Sequence, residues 1–220
     1  SVLGVAIIPP YETYITYEVY IAPGLIAMIQ LFNGMQSSLS MVYDREMGSM
    51  KTMLVSPIPR WFLVVSKLLA GVFVSILQVY AFLLIASFWN IIPPISGYFT
   101  ILPALIFSGL MLGSLGMFLS SAIKQLENFA GVMNFVIFPM FFASSALYPL
   151  WKIEETSEWL HYVCLYNPFT YAVEIIRFSM YAELTPHYSI GIIIFTIIFL
   201  TLAILGYDPS RGTMQKKGGK

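Results

Sequence analysis

Five apolar runs, each near or above the roughly 20 residues that carry a helix across a bilayer, limit what this chain can fold into. They extend from about Tyr20 to Val42, Phe62 to Ile92, Phe99 to Ser121, Phe129 to Leu150 and Ser189 to Tyr207. A soluble domain carries about 25% charged residues. Here 10% are charged and 58% hydrophobic, with a mean hydropathy of +0.80. Such a chain has too few polar groups to face water on all sides. The composition therefore predicts an all-α, polytopic membrane protein whose partner is the lipid bilayer. The net charge of +0 removes any bulk case for nucleic-acid binding. The single cysteine, Cys164, cannot close an internal disulfide and reads as a small buried hydrophobe.

The runs differ in character. The first carries Gln30, Asn33, Gln36, Ser37, Ser38 and Ser40. Polar side chains avoid lipid, so these face other helices or a polar cavity. Gln30, Asn33, Gln36 and Ser37 are candidates for a substrate path, and interhelical hydrogen bonding explains them equally well. The second run is long enough to tilt or project from the membrane. The third is rich in Gly and Ser. The fourth contains Pro139, which predicts a kink. The fifth is the purest apolar run. Ser1–Ile8 reads as the tail of an earlier apolar segment, which predicts a preceding N-terminal piece.

Lysine and arginine predict the orientation. With alternate loops taken as one side, Arg45, Lys51, Arg60, Lys67, Lys124, Arg211, Lys216, Lys217 and Lys220 fall together, against Lys152 and Arg177. The loop at 44–60 and the tail at 208–220 are then cytoplasmic, and the mixed segment at 150–188 lies outside. Tyr11, Tyr14, Tyr17 and Tyr20 would sit at the outer interface, where aromatic rings favour the headgroup zone.

The charged segment YDREMGSMKTMLVSPIPR, Tyr43 to Arg60, has no place inside a bilayer. Asp44 is a suitable N-cap, and Glu46 would occupy the first turn, where the helix dipole favours it. Met47, Met50, Met53 and Leu54 fall on one face at helical spacing, and Pro57 and Pro59 stop the pattern. About 11 residues give a helix of roughly 16 Å. It is either an interfacial helix that ends two spans or a docking helix, for which a methionine face is suited. In the outer segment, Glu174 and Arg177 are three apart and can pair. They form either a structural pair or part of an outer gate. Trp151 and Trp159 read as interface anchors, and Glu154, Glu155 and Glu158 as a solvated face. His161 and His187 have no partner pattern for a metal. No nucleophile–base or metal motif lies inside a span, so no catalytic residues are assigned.

DREMGSMKTMLVSPIPRWFLVVSKLLAG resembles the signature of type 2 ABC transporter permeases. That signature is an acidic residue, then Arg-Glu-x-Gly-[Ser/Thr], Leu-hydrophobic-[Val/Thr]-[Ser/Thr]-Pro, Arg and a Lys inside the following span. Arg45, Glu46, Gly48, Ser49, Leu54, Val55, Ser56, Pro57, Arg60 and Lys67 meet it, with Met53 where Leu is common. Asn167-Pro168-Phe169-Thr170 through Glu174 and Arg177 is similar to the run before the family's last span. Pro23-Gly24 and Ser145 to Pro149 fit further family patterns, and Asp208–Gly212 resembles the tail of some bacterial members. The resemblance covers nearly the whole chain, 1–220, as one transmembrane domain with about five of six spans present.

The resemblance implies a permease subunit of an ATP-binding-cassette exporter. A second permease subunit, identical or a sister chain, would complete the pathway, and separate ABC ATPase subunits would bind ATP and Mg. The segment from Arg45 to Val55 would be the coupling helix, with Met50, Ser56, Pro57 and Arg60 in its contact surface. Residues 150–188 would hold re-entrant or interfacial helices, with Asn167, Pro168, Glu174 and Arg177 at an outer gate. The chain has no GxxxxGK[ST] phosphate loop, so ATP hydrolysis would fall to the partner. Family substrates include drugs, polysaccharides, lipid-linked sugars and other hydrophobic compounds, and the expected location is the inner or plasma membrane. The alternative is an ATPase-independent channel or secondary transporter. That reading expects ionisable residues at mid-membrane, and the five runs have no Asp or Glu in their central portions.

Overall fold

The apolar runs fold as helices because a backbone surrounded by hydrocarbon must satisfy its own N–H and C=O groups. The computed structural model describes residues 17–47, 60–88, 96–123, 126–183 and 185–206, leaving aside the side chains of Arg45, Arg60, Leu126 and Glu127. In chain order the helices are α1 (Tyr17–Glu46), α2 (Arg60–Ser87), α3 (Gly97–Ala122), α4 (Leu126–Phe142), α5 (Leu150–Thr156), α6 (Glu158–Leu165), α7 (Pro168–Met180) and α8 (Pro186–Gly206). Among the described residues, α1, α2, α3 and α8 are long and apolar enough to cross a membrane, and α4 is shorter at 17 residues. With α2 at 28 residues, its length is about 42 Å, well over the roughly 30 Å of a hydrocarbon core.

α3 is the centre of the bundle. It packs against α1, α2, α7 and α8, and Ile101, Leu105, Ser108, Leu112, Ser114 and Met117 are buried around its circumference. A helix apolar on every side belongs in such a position. α8 is as apolar but leaves Ile193, Ile194, Ile197, Ile198 and Leu205 uncovered by protein, as suits a helix facing lipid. α1 and α3 approach closely at Gly34, Gly113 and Gly116. A Cβ on Gly34 would sit 2.9 Å from the Gly113 Cα, and one on Gly116 would sit 2.7 Å from the Gly34 carbonyl oxygen. Close backbone approach of this kind uses small residues.

Three boundaries depart from the sequence reading. Asp44 does not open a helix, and Glu46 is not in a first turn. The α1 ladder continues through both, with Met47 N–H donating to the Tyr43 carbonyl at 2.9 Å. Asp44 prolongs α1 because its carboxylate is taken by the Lys67 ammonium of α2 rather than by backbone N–H groups. The second run ends as a helix at Ser87. The fourth stops at Phe142 rather than reaching Leu150, and residues 143–149 turn instead, with Ser144, Ser145 and Ala146 buried. The stop has a cause in α7. The Asn167 side-chain amide donates to the carbonyls of Met140 (2.8 Å) and Ala143 (2.6 Å), which would otherwise be orphaned at the α4 terminus.

Candidate functional site

Three polar sites are strung along α1. The first lies where α1 and α2 flank the segment 48–59, here called the loop end. Lys67 of α2 pairs with Asp44 and also donates to Ser40 Oγ at 3.3 Å, while Ser37 Oγ donates to the Lys67 carbonyl at 3.4 Å. The pair is about a quarter exposed on each side, at 26% for Lys67 and 22% for Asp44. The C-termini of α3 and α8 share this end: Ser120 Oγ meets Met41 Sδ at 3.7 Å, and Gly206 lies against Ser121. Glu46 and Met47 are exposed beside the pair. Of the remaining expected coupling residues, Gly48, Ser49, Met50, Met53, Leu54, Ser56 and Pro57 lie outside the described residues, as do the side chains of Arg45 and Arg60.

The second site is mid-way along α1. Asn33, Gln36 and Ser37 face Gly71, Val74 and Gln78 of α2 across an open groove of about 350 Å³. Asn33 Nδ2 donates to Gln78 Oε1 at 2.6 Å and to its own helix at Ile29, and Gln36 is exposed. Gln78 was not singled out by sequence reasoning. Its one signal was a polar amide in an otherwise apolar run. Gln30 does something different. It is 1% exposed, donates to the Leu105 carbonyl at 2.7 Å and accepts from Ser108 Oγ at 2.6 Å. Its hydrogen bonds join α1 to α3.

The third site is at the far end. Glu174 and Arg177 of α7 are ion-paired and largely buried, at 7% and 17% side-chain exposure. Arg177 Nη2 also donates to the Ser145 carbonyl at 2.9 Å, and the guanidinium lies 4.2 Å from the centre of the Tyr20 ring. A cation over an aromatic face is attracted by the ring quadrupole. The Tyr20 hydroxyl donates to the same Ser145 carbonyl at 2.8 Å. One carbonyl thus ties α1, the 143–149 turn and α7 together. Asn167 caps α7 by accepting from Phe169 N–H at 3.0 Å, with Pro168 in the first turn, while its amide holds the end of α4. Thr170 is fully buried, donates to the Cys164 carbonyl at 2.6 Å and accepts from Ser145 N–H at 3.4 Å. Tyr20 and Ser145 are the participants that sequence spacing does not reveal.

The remaining candidates are peripheral. Trp159 is exposed, as are Glu154, Glu155 and Glu158, on the short helices α5 and α6. His161 Nδ1 lies 3.1 Å from the Leu150 carbonyl. Cys164 is buried, and that burial pushes its thiol pKa up. Among the described residues, no group of His, Cys, Asp and Glu is arranged to hold a metal ion.

Known proteins resemble this chain in sequence. Residues 5–181 match the family described as "ABC-2 type transporter". The Escherichia coli (strain K12) protein named "Probable multidrug ABC transporter permease YbhR" is 29% identical over 174 residues, covering 76% of this chain and 45% of that protein. "Putative transport permease ycf38" of Porphyra purpurea is 29% identical over 166 residues, covering 74% of this chain and 56% of that protein. Its namesake in Cyanophora paradoxa is 26% identical over the same length. The chain therefore spans about half the length of the curated relatives it matches. The motifs resembling a permease signature, the apolar helices and the family match agree: this chain is a multi-pass membrane protein that belongs to the ABC-2 type transporter family.

Proposed function

We propose that this chain is the membrane-spanning permease subunit of an ABC exporter, driven by ATP that a separate ATPase subunit binds with Mg. The segment 48–59 would dock on that subunit, which puts the loop end and the C-terminus in the cytoplasm of a cell whose inner or plasma membrane holds the complex. A second permease subunit, most simply an identical copy, would face the α1–α2 groove and close a path between the two chains. Family membership supports the transport role. The relative named as a multidrug permease supports a hydrophobic or drug-like cargo, and lipid-linked sugars and polysaccharides belong to the same proposal.

The observation that carries the coupling reading is the position of Asp44 and Lys67. They join α1 to α2 on the two sides of the proposed docking segment in sequence, with Asp44 about two turns from Ser37 and Gln36 of the groove. A push on the loop would therefore move both walls of the groove together. Coupling then needs only that nucleotide bias two arrangements of these stems, a population shift with the ATPase as biasing ligand.

The test is reconstitution. The permease is purified with its candidate ATPase, placed in proteoliposomes and assayed for ATP-dependent movement of a fluorescent hydrophobic cargo. Replacing Gly48 with Trp should abolish transport and leave membrane insertion intact. ATP-independent flux of the same size through the permease alone would reject the ABC reading in favour of a channel or secondary transporter.

A further inference from the structure

A cavity of about 290 Å³ opens between α3, α7 and α8 at the far end, on the opposite side of α3 from the α1–α2 groove. Its size is at the lower edge of the range of small-molecule sites, about 300 Å³. Its wall is apolar: Ala104 and Phe107 of α3, Ile175 of α7 and Ile193 of α8. Phe107 and Ile193 are each 46% uncovered by protein, and Ile193 continues into the uncovered isoleucine face of α8. The cavity is thus entered from the side, through the surface that faces hydrocarbon.

The polar end is built by the α7–α8 connection. Glu183 N–H donates to the Phe178 carbonyl and Ala182 N–H to Ser179, the two bonds of a Schellman ending, with Ala182 left-handed at φ 60°. A left-handed alanine is sterically disfavoured, because its Cβ crowds the following carbonyl oxygen. The turn sets Glu183 and Thr185 in the cavity lining at this end. Thr185 Oγ1 is buried without a hydrogen-bond partner among the described residues, and Glu183 is exposed and has no ion pair among them. A buried hydroxyl is rarely left unpartnered in a native protein. Thr100 does not fill the gap, because its hydroxyl already donates to the Ser179 carbonyl at 2.6 Å.

We infer that this cavity binds one chain of a bilayer lipid whose headgroup carries an ammonium. The acyl chain would lie on Ala104, Phe107, Ile175 and Ile193, the ammonium would pair with Glu183, and the glycerol–ester region would hydrogen-bond Thr185 Oγ1. The carboxylate selects the cationic headgroup, since the cavity lining holds no cationic side chain. The inference needs only that the chain be embedded in a membrane. It stands or falls separately from ATP-driven transport.

Native mass spectrometry of the purified chain tests it, with phosphatidylethanolamine and phosphatidylglycerol of identical acyl chains as competing probes. The wild type should retain phosphatidylethanolamine about fivefold better, the scale of one partly exposed ion pair. Glu183→Gln should remove that preference. Ile193→Trp, made at a position already open to the bilayer, should lower retention of both lipids by blocking the entrance. Equal retention of the two lipids by the wild type overturns the inference, as does an unchanged preference in Glu183→Gln. Loss of a dimer in Ile193→Trp with lipid retention unchanged would also overturn it, because a second copy of the chain would then be the occupant. Should Glu183→Gln fail to fold, the wild-type preference and the Ile193→Trp retention decide.

Discussion

The two ends of α1 are each held by an ion pair, and the two pairs are built on different plans. At the far end, Glu174 and Arg177 are 7% and 17% exposed, and Arg177 reaches both Tyr20 of α1 and the carbonyl of Ser145. Tyr20 and Ser145 are 125 residues apart in sequence, so this cluster closes most of the chain. At the loop end, Asp44 and Lys67 are 23 residues apart and join two helices that flank one segment. That pair is about a quarter exposed. Releasing it frees a contact between two helices consecutive in the chain, whereas releasing the far cluster frees polar contacts among α1, α7 and the 143–149 turn. We expect the far end to be the anchored end and the loop end the one that is displaced. The coupling proposed above would need this asymmetry.

The sharpest way to break the comparison is at Glu174. Glu174→Ala leaves the Arg177 charge largely buried with only the Ser145 carbonyl and the Tyr20 ring, and removing one partner of a buried pair costs about 3–5 kcal/mol. A large fall in the unfolding midpoint in detergent is expected. The double replacement Glu174→Met, Arg177→Met should recover most of that loss, because a buried pair replaced by apolar residues of similar volume is often neutral. If the double variant is as unstable as the single one, Arg177 acts mainly through Tyr20 and Ser145 and not through Glu174.

Asn167 comes next. Asn167→Ala removes an α7 N-cap and leaves the Met140 and Ala143 carbonyls without their donor. The expected cost is about 2–3 kcal/mol, a cap plus the partial desolvation of two acceptors. Asn167→Asp separates the two roles, since it keeps the cap and loses the donors. An Asp variant as stable as the wild type would show that the bonds to α4 contribute nothing. An Asp variant as unstable as the Ala variant would place most of the effect on α4.

How much of this was legible beforehand depends on the range of each interaction. The spans and their order follow from apolar run length, a local property, and α1, α2, α3 and α8 appear close to where hydropathy puts them. The Glu174–Arg177 pair is also local, three residues apart on one helix. The early end of α4 was not legible, because its cause is the Asn167 amide, 27 and 24 residues further along. Asp44 departs from its local pattern for a related reason. By local rules an aspartate beside apolar residues is a cap, and only the position of Lys67 on the neighbouring helix turns it into a partner instead. The contact of Tyr20 with Arg177 is not legible locally, because Arg177 lies far along the chain.

The smallest expected effect on stability is at Asp44, and there the comparison becomes most useful. Partly exposed pairs contribute about 0–1 kcal/mol, so Asp44→Asn should shift the unfolding midpoint little and should do so less at high salt. Asn keeps the shape and a hydrogen-bond acceptor for Lys67, and removes the charge that draws the two stems together. If the loop end is the displaceable end, Asp44→Asn should change the ATPase activity of the reconstituted complex, or its stimulation by cargo, by several-fold at nearly unchanged stability. Glu174→Ala should do the reverse, lowering stability severely while the surviving folded fraction keeps its stimulation ratio. Lys67→Met provides the reciprocal arm. Combined with Asp44→Asn it should add no further loss of coupling, since the two residues act as one clamp. An additive double variant would mean that Lys67 acts through Ser40 and the Ser37 side of the groove and not through Asp44.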